Sequence, residues 1–183
     1  MRIARTKIEG VNVAESKPVA DYRGTFTRLF STADLAVIIG SRQIVQINRS
    51  QTTAVGAVRG LHFQCPPHAE MKLVRCLKGR VWDVAADLRT GSSTFLQWHA
   101  EELSAGNCRM LIIPEGCAHG FQVLEANSEL LYLHTAPYEP TAEGGIRFSD
   151  PLLSIAWPLP VLDLSEGDKT RPLLSREFTG LSI

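Results

Sequence analysis

Residues 56–64, GAVRGLHFQ, decide the fold, and residues 114–121, PEGCAHGF, match them later in the chain. Each is a short apolar run that carries one histidine and is bounded by glycine or proline, a pattern typical of a strand or strand end. Together they predict that His62 and His119 face one concavity. A single histidine in an apolar strand is more often a hydrogen-bonded core residue, so the neighbouring residues have to distinguish the two interpretations.

Arg59 favours a site over a core position. It precedes His62 by three residues, so the two side chains would lie on opposite faces of a regular strand. Gly60 permits a β-bulge that would bring them to one side. Because an unpaired guanidinium is costly to bury, we expect Arg59 to meet an anion, either a carboxylate or a bound phosphate.

The composition is that of one globular domain. The chain has 183 residues, 44% hydrophobic and 21% charged, and its 19 basic and 19 acidic residues cancel. We therefore predict a single domain over residues 1–183 that binds neither nucleic acid nor a membrane surface in a general way. No run approaches the roughly 20 apolar residues that span a bilayer, which predicts a cytoplasmic protein.

The four cysteines predict free thiols. They contain no C-x-x-C pair, so neither a disulfide framework nor a structural zinc site is indicated. They are Cys65, Cys76, Cys108 and Cys117.

Short strand-like runs separated by turn residues predominate from Ile44 onward, which indicates an antiparallel sandwich or barrel. A short helix is predicted to begin at Ser31 or Thr32 and to continue through Ile39, with Gly40 ending it. The segment 138–158, broken by prolines, is expected to wrap around the strands. The predicted strands are 25–30, 43–48, 71–77, 81–88, 95–103, 110–114 and 130–134.

The polar side chains available to such an interior indicate proton transfer. Histidine, tyrosine and lysine together can take a proton beside a carbonyl, return one and stabilise the enolate oxygen. Asp83 and Asp87 share one face of their strand, where they could orient a base, neutralise a buried cation or remain solvated. The interior candidates are Arg59, His62, Lys72, Asp83, His119, Tyr132 and Asp168.

A metal site is the competing interpretation. Metal-binding barrels of this type resemble one another in an H-x-H pair, a carboxylate and a further histidine on a later strand. Residues 62–64 read HFQ and supply one imidazole where two are needed, which leaves only His119 to join it. We therefore predict no metal.

Five ordered motifs, from about Val19 to Leu174, resemble those of the dTDP-4-dehydrorhamnose 3,5-epimerase family. The resemblance implies an all-β, cupin-type jelly-roll barrel with short peripheral helices. It also implies that the enzyme uses no cofactor and forms a homodimer that exchanges N-terminal strands. The motifs are RGLHFQ at 59–64, KLVRC at 72–76, G-x-V-x-D-V at 79–84, I-P-x-G-x-A-H-G-F at 113–121 and L-S-x-x-D at 164–168.

The resemblance also implies roles for individual residues. His62 is similar to the family's general base, Asp168 to the acid that orients it, and Tyr132 to the proton donor on the opposite face. Lys72 would stabilise the enolate. The implied reaction is epimerisation of a nucleotide-linked 4-keto-6-deoxy sugar, most simply dTDP-4-dehydrorhamnose, at the carbons beside C4. The implied substrate-binding residues are Arg23, Arg28, Gln46, Ile47, Asn48, Arg59, His119, Tyr138 and Glu143.

Two positions depart from the family pattern. Arg28 stands where an acid is usual, and Gly167 stands where a basic residue is usual. Both positions lie, by resemblance, on the substrate or nucleotide side, so the reaction type is better specified than the substrate. An epimerase of another nucleotide-linked 4-keto sugar, or of one centre only, stays open. A sugar-binding barrel without activity, a metal-dependent cupin and a 3,4-ketoisomerase of related fold are the alternatives from other classes.

Overall fold

The computed structural model describes all residues 1–183 and is built mainly from thirteen strands. Two α-helices, α1 (Thr32–Ile39) and α2 (Glu166–Thr170), and one 3₁₀ turn (Pro140–Ala142) accompany them. The strands are β1 (Arg2–Arg5), β2 (Asn12–Glu15), β3 (Val19–Asp21), β4 (Gly24–Phe26), β5 (Gln46–Thr52), β6 (Val58–Gln64), β7 (Lys72–Lys78), β8 (Arg80–Asp87), β9 (Trp98–Ser104), β10 (Arg109–Ile113), β11 (Cys117–Val123), β12 (Ser128–His134) and β13 (Glu143–Gly145).

Two antiparallel sheets form the body of the protein. The six-stranded sheet has the order β1-β2-β10-β7-β12-β5, and the five-stranded sheet has the order β13-β6-β11-β8-β9. Strands β3 and β4 form a separate hairpin that pairs with neither sheet. The predicted cupin-type jelly roll is confirmed, although its two sheets remain separate and do not close into a barrel.

The core follows from the alternation of apolar residues along the strands. Val74 and Cys76 of β7 and Phe121 of β11 point between the sheets and belong to the largest buried cluster. A second cluster lies on the outer face of the six-stranded sheet beneath α1, and a third lies on the outer face of the five-stranded sheet. Ile146 and Leu153 cover that third cluster, as predicted for the segment that wraps around the strands.

Helix α1 has the predicted boundaries. The Ser31 hydroxyl accepts a hydrogen bond from the backbone N–H of Asp34 at 3.2 Å, which satisfies one of the free donors of the first turn. Gly40 ends the helix with a positive φ of 58°. Leu35 and Ile39 are fully buried against the six-stranded sheet.

Several strand boundaries differ from the prediction. Strand β4 ends at Phe26, and β9 begins at Trp98 because residues 92–97 close two turns, with Phe95 N–H donating to Ser92 O and Gln97 N–H to Thr94 O. Strand β5 begins at Gln46. The prediction also missed β1, β2, β3, β13 and α2, whose three to five residues are too few to show a periodicity.

All four cysteines are free thiols, as predicted. Burial raises the pKa of the Cys76 thiol to about 11 and that of Cys117 to about 12, so both stay protonated at neutral pH. No helix has the length and apolar character needed to cross a bilayer. The cytoplasmic location stays a prediction.

The bulge expected at Gly60 is present. Strand β6 pairs with β11 so that His62 lies opposite His119 but Gly60 lies opposite Gly120, which leaves Leu61 as the additional residue. Leu61 packs outward into the third cluster. As a result, Arg59 and His62 line the same cavity despite their odd spacing.

Gly60 offers a test of this arrangement. Its φ is +117°, and an added Cβ would lie 2.6 Å from Gly120 Cα and 2.7 Å from His119 O. We expect Gly60→Ala to lower the free energy of unfolding by about 2 to 5 kcal/mol, because backbone strain and a backbone clash add. Urea titration followed by tryptophan fluorescence measures it.

Gly91→Ala is the matched control. Gly91 also has a positive φ, +71°, but nothing lies within 4 Å of its added Cβ. We expect a loss of only about 1 to 2 kcal/mol there. Equal losses in the two variants would show that the close approach of β6 to β11 is unimportant.

Candidate active site

The predicted proton-transfer residues meet in a cavity of about 260 Å³ between the two sheets. Strands β5, β7 and β12 form one wall, and β6, β11 and β13 form the other. The lining residues are Asn48, Arg49, Ser50, Arg59, His62, Phe63, Gln64, Glu70, Lys72, His119, Phe121, Tyr132, His134, Tyr138 and Glu143.

His62 is held by Asp168, as predicted. The distance from His62 Nε2 to Asp168 Oδ1 is 2.6 Å, and Asp168 is fixed in α2 by a hydrogen bond from its backbone N–H to Ser165 Oγ. An ionised carboxylate only accepts, so Nε2 carries the hydrogen and Nδ1 of the neutral ring keeps a lone pair. Nδ1 is therefore the atom of His62 that could take a proton.

The electrostatics favour the ionised form of Asp168. Burial raises the pKa of its carboxyl group, but the hydrogen bonds and charge supplied by His62 and Ser165 together outweigh burial and hold that pKa below its usual range. Asp168 consequently remains an acceptor that fixes the His62 ring.

Tyr132 comes from β12, on the sheet opposite His62. Its hydroxyl lies 3.1 Å from Ser50 Oγ, and its ring meets the His119 ring edge-on with centroids 6.0 Å apart. Burial raises the pKa of Tyr132 well above its usual value. The phenol therefore stays protonated at neutral pH, the form that a proton donor needs. The ring of Tyr132 also packs against the largest buried cluster.

Lys72 lies at the start of β7. Its Nζ is 3.3 Å from the backbone oxygen of His62 and 3.3 Å from Glu70 Oε1. Nζ thus donates one hydrogen bond and forms one ion pair within the chain, and because an ammonium group has three protons it can still donate to a ligand. The charge of Lys72 thus lies beside the strand that carries His62.

Asp83 and Asp87 are both buried, and each has one of the two roles considered for them. Asp83 is fully buried and its Oδ1 lies 2.8 Å from His119 Nε2, so it orients that histidine. Burial raises the pKa of Asp83 more than His119 lowers it. Asp87 instead neutralises Arg89, with 2.8 Å between Oδ2 and Nη2.

Arg59 lines the cavity, but it is exposed and forms no ion pair within the chain. The expected burial of this guanidinium is therefore wrong, and water can solvate its charge. A bound phosphate remains the prediction for this guanidinium.

Four other predicted binding residues lie at or beside the cavity. The Tyr138 hydroxyl donates to Glu143 Oε2 at 2.6 Å, and the Tyr138 backbone N–H donates to Gln46 Oε1 at 3.0 Å. Asn48 Nδ2 lies 3.4 Å from His134 Nε2. Gln46 and Asn48 share one face of β5, as predicted.

Three predicted binding residues lie outside this cavity. Arg23 is on the β3–β4 hairpin, where it pairs with Asp21 at 2.6 Å, and Arg28 lies 3.6 Å from Asp34. Ile47 is 62% exposed, on the face of β5 opposite to Asn48. The chain does not bring these three side chains to its own cavity.

Sequence reasoning missed Glu70, His134 and Ser50. His134 Nδ1 lies 2.7 Å from Glu70 Oε2, which makes a third histidine–carboxylate pair in the cavity. Strand alternation could have identified His134, because it shares the face of Tyr132 on β12. Glu70 precedes β7 in an irregular segment, where no periodicity indicates its direction.

The largest cavity, about 830 Å³, lies elsewhere, at the base of the β3–β4 hairpin. Arg28, Asp34 and Arg109 line it, but no histidine or tyrosine does. We place the candidate active site in the smaller cavity, because only there do paired acids, bases and a cation converge.

A family model described as dTDP-4-dehydrorhamnose 3,5-epimerase matches residues 5–176. The chain belongs to this family. A dTDP-4-dehydrorhamnose 3,5-epimerase of Salmonella typhimurium is 42% identical over 178 residues, which cover 96% of this chain and 97% of that relative.

Two solved structures extend the comparison. The epimerase of Legionella pneumophila, solved in complex with dTDP-4-keto-L-rhamnose, has a TM-score of 0.91 and 37% identity, and the match covers 100% of this chain and 98% of that one. A 3'-monoepimerase of Streptomyces bikiniensis, in complex with dTDP-quinovose, has a TM-score of 0.84 and 29% identity, with coverage of 92% and 85%. The resemblance inferred from the five motifs is confirmed.

The side chains of this epimerase-family member provide no ligand set for a metal ion. No group of three or more histidine, cysteine, aspartate or glutamate side chains is arranged to hold one. His62, His119 and His134 each direct one nitrogen at a carboxylate instead. A metal-dependent cupin would need three or more converging donors.

Asp168→Asn tests the charge in the His62 pair. A carboxyl whose pKa is lowered on folding stabilises the fold at pH values above its unfolded pKa of 3.8, and this contribution disappears as pH falls through the folded value. We expect the variant to be less stable than wild type at pH 7 and the difference to shrink below about pH 4. Urea unfolding across this range measures it.

Asp163→Asn is the control, because its side chain is exposed and forms no hydrogen bond or ion pair. Its stability should follow wild type throughout. A gap between Asp168→Asn and wild type that stays constant down to pH 3 would contradict a role for the charge.

Proposed function

We propose that this protein epimerises a nucleotide-linked 4-keto-6-deoxy sugar, and that its reaction is that of a dTDP-4-dehydrorhamnose 3,5-epimerase. The observation that carries the proposal is one arrangement across the cavity. His62, held by Asp168, and a protonated Tyr132 lie on opposing sheets, with Lys72 beside them. A base on one side and an acid on the other is what inversion of a carbon centre requires.

The chemistry proceeds through an enolate. His62 Nδ1 takes the proton from the carbon beside the C4 carbonyl, and the electron pair of that C–H bond moves to the carbonyl oxygen. The ammonium group of Lys72 stabilises the resulting negative charge. Because C3 and C5 both flank C4, one base and one cation can serve both centres.

Protonation from the other face completes each inversion. The Tyr132 hydroxyl gives its proton to the carbon, the C=O bond re-forms, and the centre has the opposite configuration. His62 then holds one proton more and Tyr132 one fewer. Exchange with solvent restores both groups, so each inverted carbon carries hydrogen that came from water.

The comparisons support the substrate class. A structural neighbour with 37% identity was solved with dTDP-4-keto-L-rhamnose. Here Arg59 and Arg171 line a second cavity that adjoins His62 and Asp168 on the side of Gly167. We propose that these guanidinium groups bind the diphosphate, which would compensate for the missing basic residue at position 167.

Inversion of one centre is the second candidate. The structural match to a 3'-monoepimerase shows that enzymes of this architecture include one named for inverting a single centre. Arg28 stands where the family has an acid, so the substrate-binding side of this chain is altered. The two candidate reactions share the base, the proton donor and the enolate. They differ in how the sugar is oriented toward these groups.

We further propose that the active form is a homodimer that exchanges its N-terminal hairpin. Strands β3 and β4 pair with no other strand, yet the hairpin exposes Val19, Tyr22 and Phe26 by 68%, 97% and 72%. Exposed apolar residues on an isolated hairpin favour docking on another chain. Exchange would also bring Arg23 and Arg28 to the cavity of the partner.

Deuterium exchange tests the reaction. The protein is incubated with dTDP-4-keto-6-deoxyglucose in deuterated water, and proton NMR follows loss of signal at C3 and C5. Wild type is expected to exchange both positions. His62→Ala and Lys72→Ala should lower the rate by about 10²- to 10³-fold or more while leaving the circular dichroism spectrum unchanged. Tyr132→Phe should slow C5 inversion more than C3 exchange.

The outcomes separate the candidates. Exchange at one position alone would indicate the single-centre enzyme. Wild-type rates in His62→Ala and Lys72→Ala would overturn the assignment of His62 as the base and of Lys72 as the cation that stabilises the enolate. No exchange by folded wild-type protein would contradict this substrate and direct the assay to other nucleotide-linked 4-keto sugars.

Mixing two defective variants tests the hairpin exchange. We expect Arg23→Ala to reduce kcat/KM by about 10- to 100-fold through loss of a charge-assisted hydrogen bond, and His62→Ala to abolish turnover. If each site combines one chain's body with its partner's hairpin, half of the sites in a hybrid dimer are intact. Refolding the two variants together should then restore about a quarter of wild-type activity.

The control is the same mixture without refolding, which should show only the residual activity of its Arg23→Ala component. No recovery in refolded dimers would mean that each site is built from one chain. A monomer by light scattering at assay concentration would contradict the dimer altogether.

A further inference from the structure

Glu70 is a buried carboxylate that the proton-transfer scheme does not use. It lies in the irregular segment before β7 and lines the candidate active site. Its two oxygens have different partners: Oε1 is 3.3 Å from Lys72 Nζ, and Oε2 is 2.7 Å from His134 Nδ1. The carboxylate of Glu70 therefore lies between His134 and Lys72, the cation proposed to stabilise the enolate.

The partner of Glu70 fixes the tautomer of His134. An ionised carboxylate has no proton to give, so His134 Nδ1 must carry the hydrogen. In the neutral ring Nε2 is then an acceptor, and Asn48 can meet it at 3.4 Å only through its Nδ2 amide group. The amide nitrogen of Asn48 is turned toward His134, which leaves its Oδ1 as the group available to a ligand.

The ion pair of Glu70 with Lys72 is enclosed. Both side chains are largely buried, with 6% and 11% of their surface exposed. Loss of either charge would leave the other unpaired in the cavity, which is unfavourable.

Glu70 also restricts Lys72. Its carboxylate lies 3.3 Å from the ammonium nitrogen, which also donates to the His62 backbone oxygen, so the Lys72 head group is held between these two oxygens. A lysine side chain without such partners samples many rotamers. The position of the donor relative to His62 therefore depends on Glu70.

We propose that Glu70 is a positioning residue that acts on two neighbours. It holds Lys72 for the enolate oxygen, and through His134 it orients Asn48 so that the cavity wall presents a hydrogen-bond acceptor. The ligand group that meets Asn48 is therefore a donor, such as a sugar hydroxyl or a base N–H. The role of Lys72 rests on the proposed function, whereas the orientation of Asn48 follows from the hydrogen bonds alone.

Nitrogen-15 NMR of the ligand-free protein tests the tautomer. The chain has five histidines, and the spectrum of His134→Phe identifies the resonances of His134 by their loss. We expect a protonated Nδ1 and an unprotonated Nε2 in wild type at pH 7.5. Glu70→Gln can donate to Nδ1 through its own amide group, so this variant should shift the proton to Nε2.

Kinetics separate the positioning of Lys72 from the orientation of Asn48. Glu70→Gln leaves Lys72 without its carboxylate and should lower kcat by about 10²-fold, as expected for a misplaced catalytic group. His134→Phe keeps Glu70 beside Lys72 but frees Asn48, so KM should rise about tenfold with a smaller change in kcat. Glu102→Gln is the matched control, because Glu102 is exposed on β9, and it should behave as wild type.

Each outcome decides a part of the proposal. An Nε2–H tautomer in wild type would overturn the orientation of Asn48, and this measurement needs no variant to fold. Wild-type kcat in folded Glu70→Gln would overturn the positioning of Lys72. If wild type exchanges no deuterium with any 4-keto sugar, the proposed function fails while the tautomer result still stands.

Discussion

The candidate active site depends on the pairing of each histidine with a buried carboxylate. Asp168, Asp83 and Glu70 each lie within hydrogen-bond distance of one ring nitrogen, at 2.6, 2.8 and 2.7 Å. Because an ionised carboxylate can only accept, Asp168 and Glu70 determine which nitrogen of His62 and of His134 carries the hydrogen and which keeps a lone pair. All three carboxyl groups fix the orientation of the ring that they contact.

The three pairs come from different parts of the fold, which explains how the cavity is built. Asp83 and His119 lie on the five-stranded sheet. Glu70 precedes β7 of the six-stranded sheet, and His134 lies on β12 of the same sheet. Asp168 lies on α2, 106 residues beyond His62 in the chain. The C-terminal helix is therefore needed to complete the base, although it adds little to the core. Folding and assembly of the site are coupled through this contact.

Sequence reasoning succeeded where strand periodicity and glycine determine geometry. His62 and Arg59 were placed on one side because Gly60 could form a bulge, and the observed register of β6 against β11 has that bulge. Helix α1 was predicted from Ser31 and Gly40, whose capping roles are local. The fold class followed from short strands and turns. Each of these features is specified by residues that are neighbours in sequence.

The same reasoning failed for Glu70 because one of the two partners that set its direction, His134, is 64 residues away in sequence. Nothing within the segment before β7 indicates that a carboxylate turns inward, since only Lys72 and His134 together stabilise its charge there. Arg23 and Arg28 pose the reverse problem. The motif resemblance assigns them to the substrate, yet this chain places both outside its cavity. The predicted proton-transfer residues, by contrast, meet within one chain, where Asp168 holds His62 and Lys72 lies beside it. Strand register and one distant helix are enough to assemble these groups, whereas the β3–β4 hairpin pairs with neither sheet, so the same register does not direct its side chains toward the cavity.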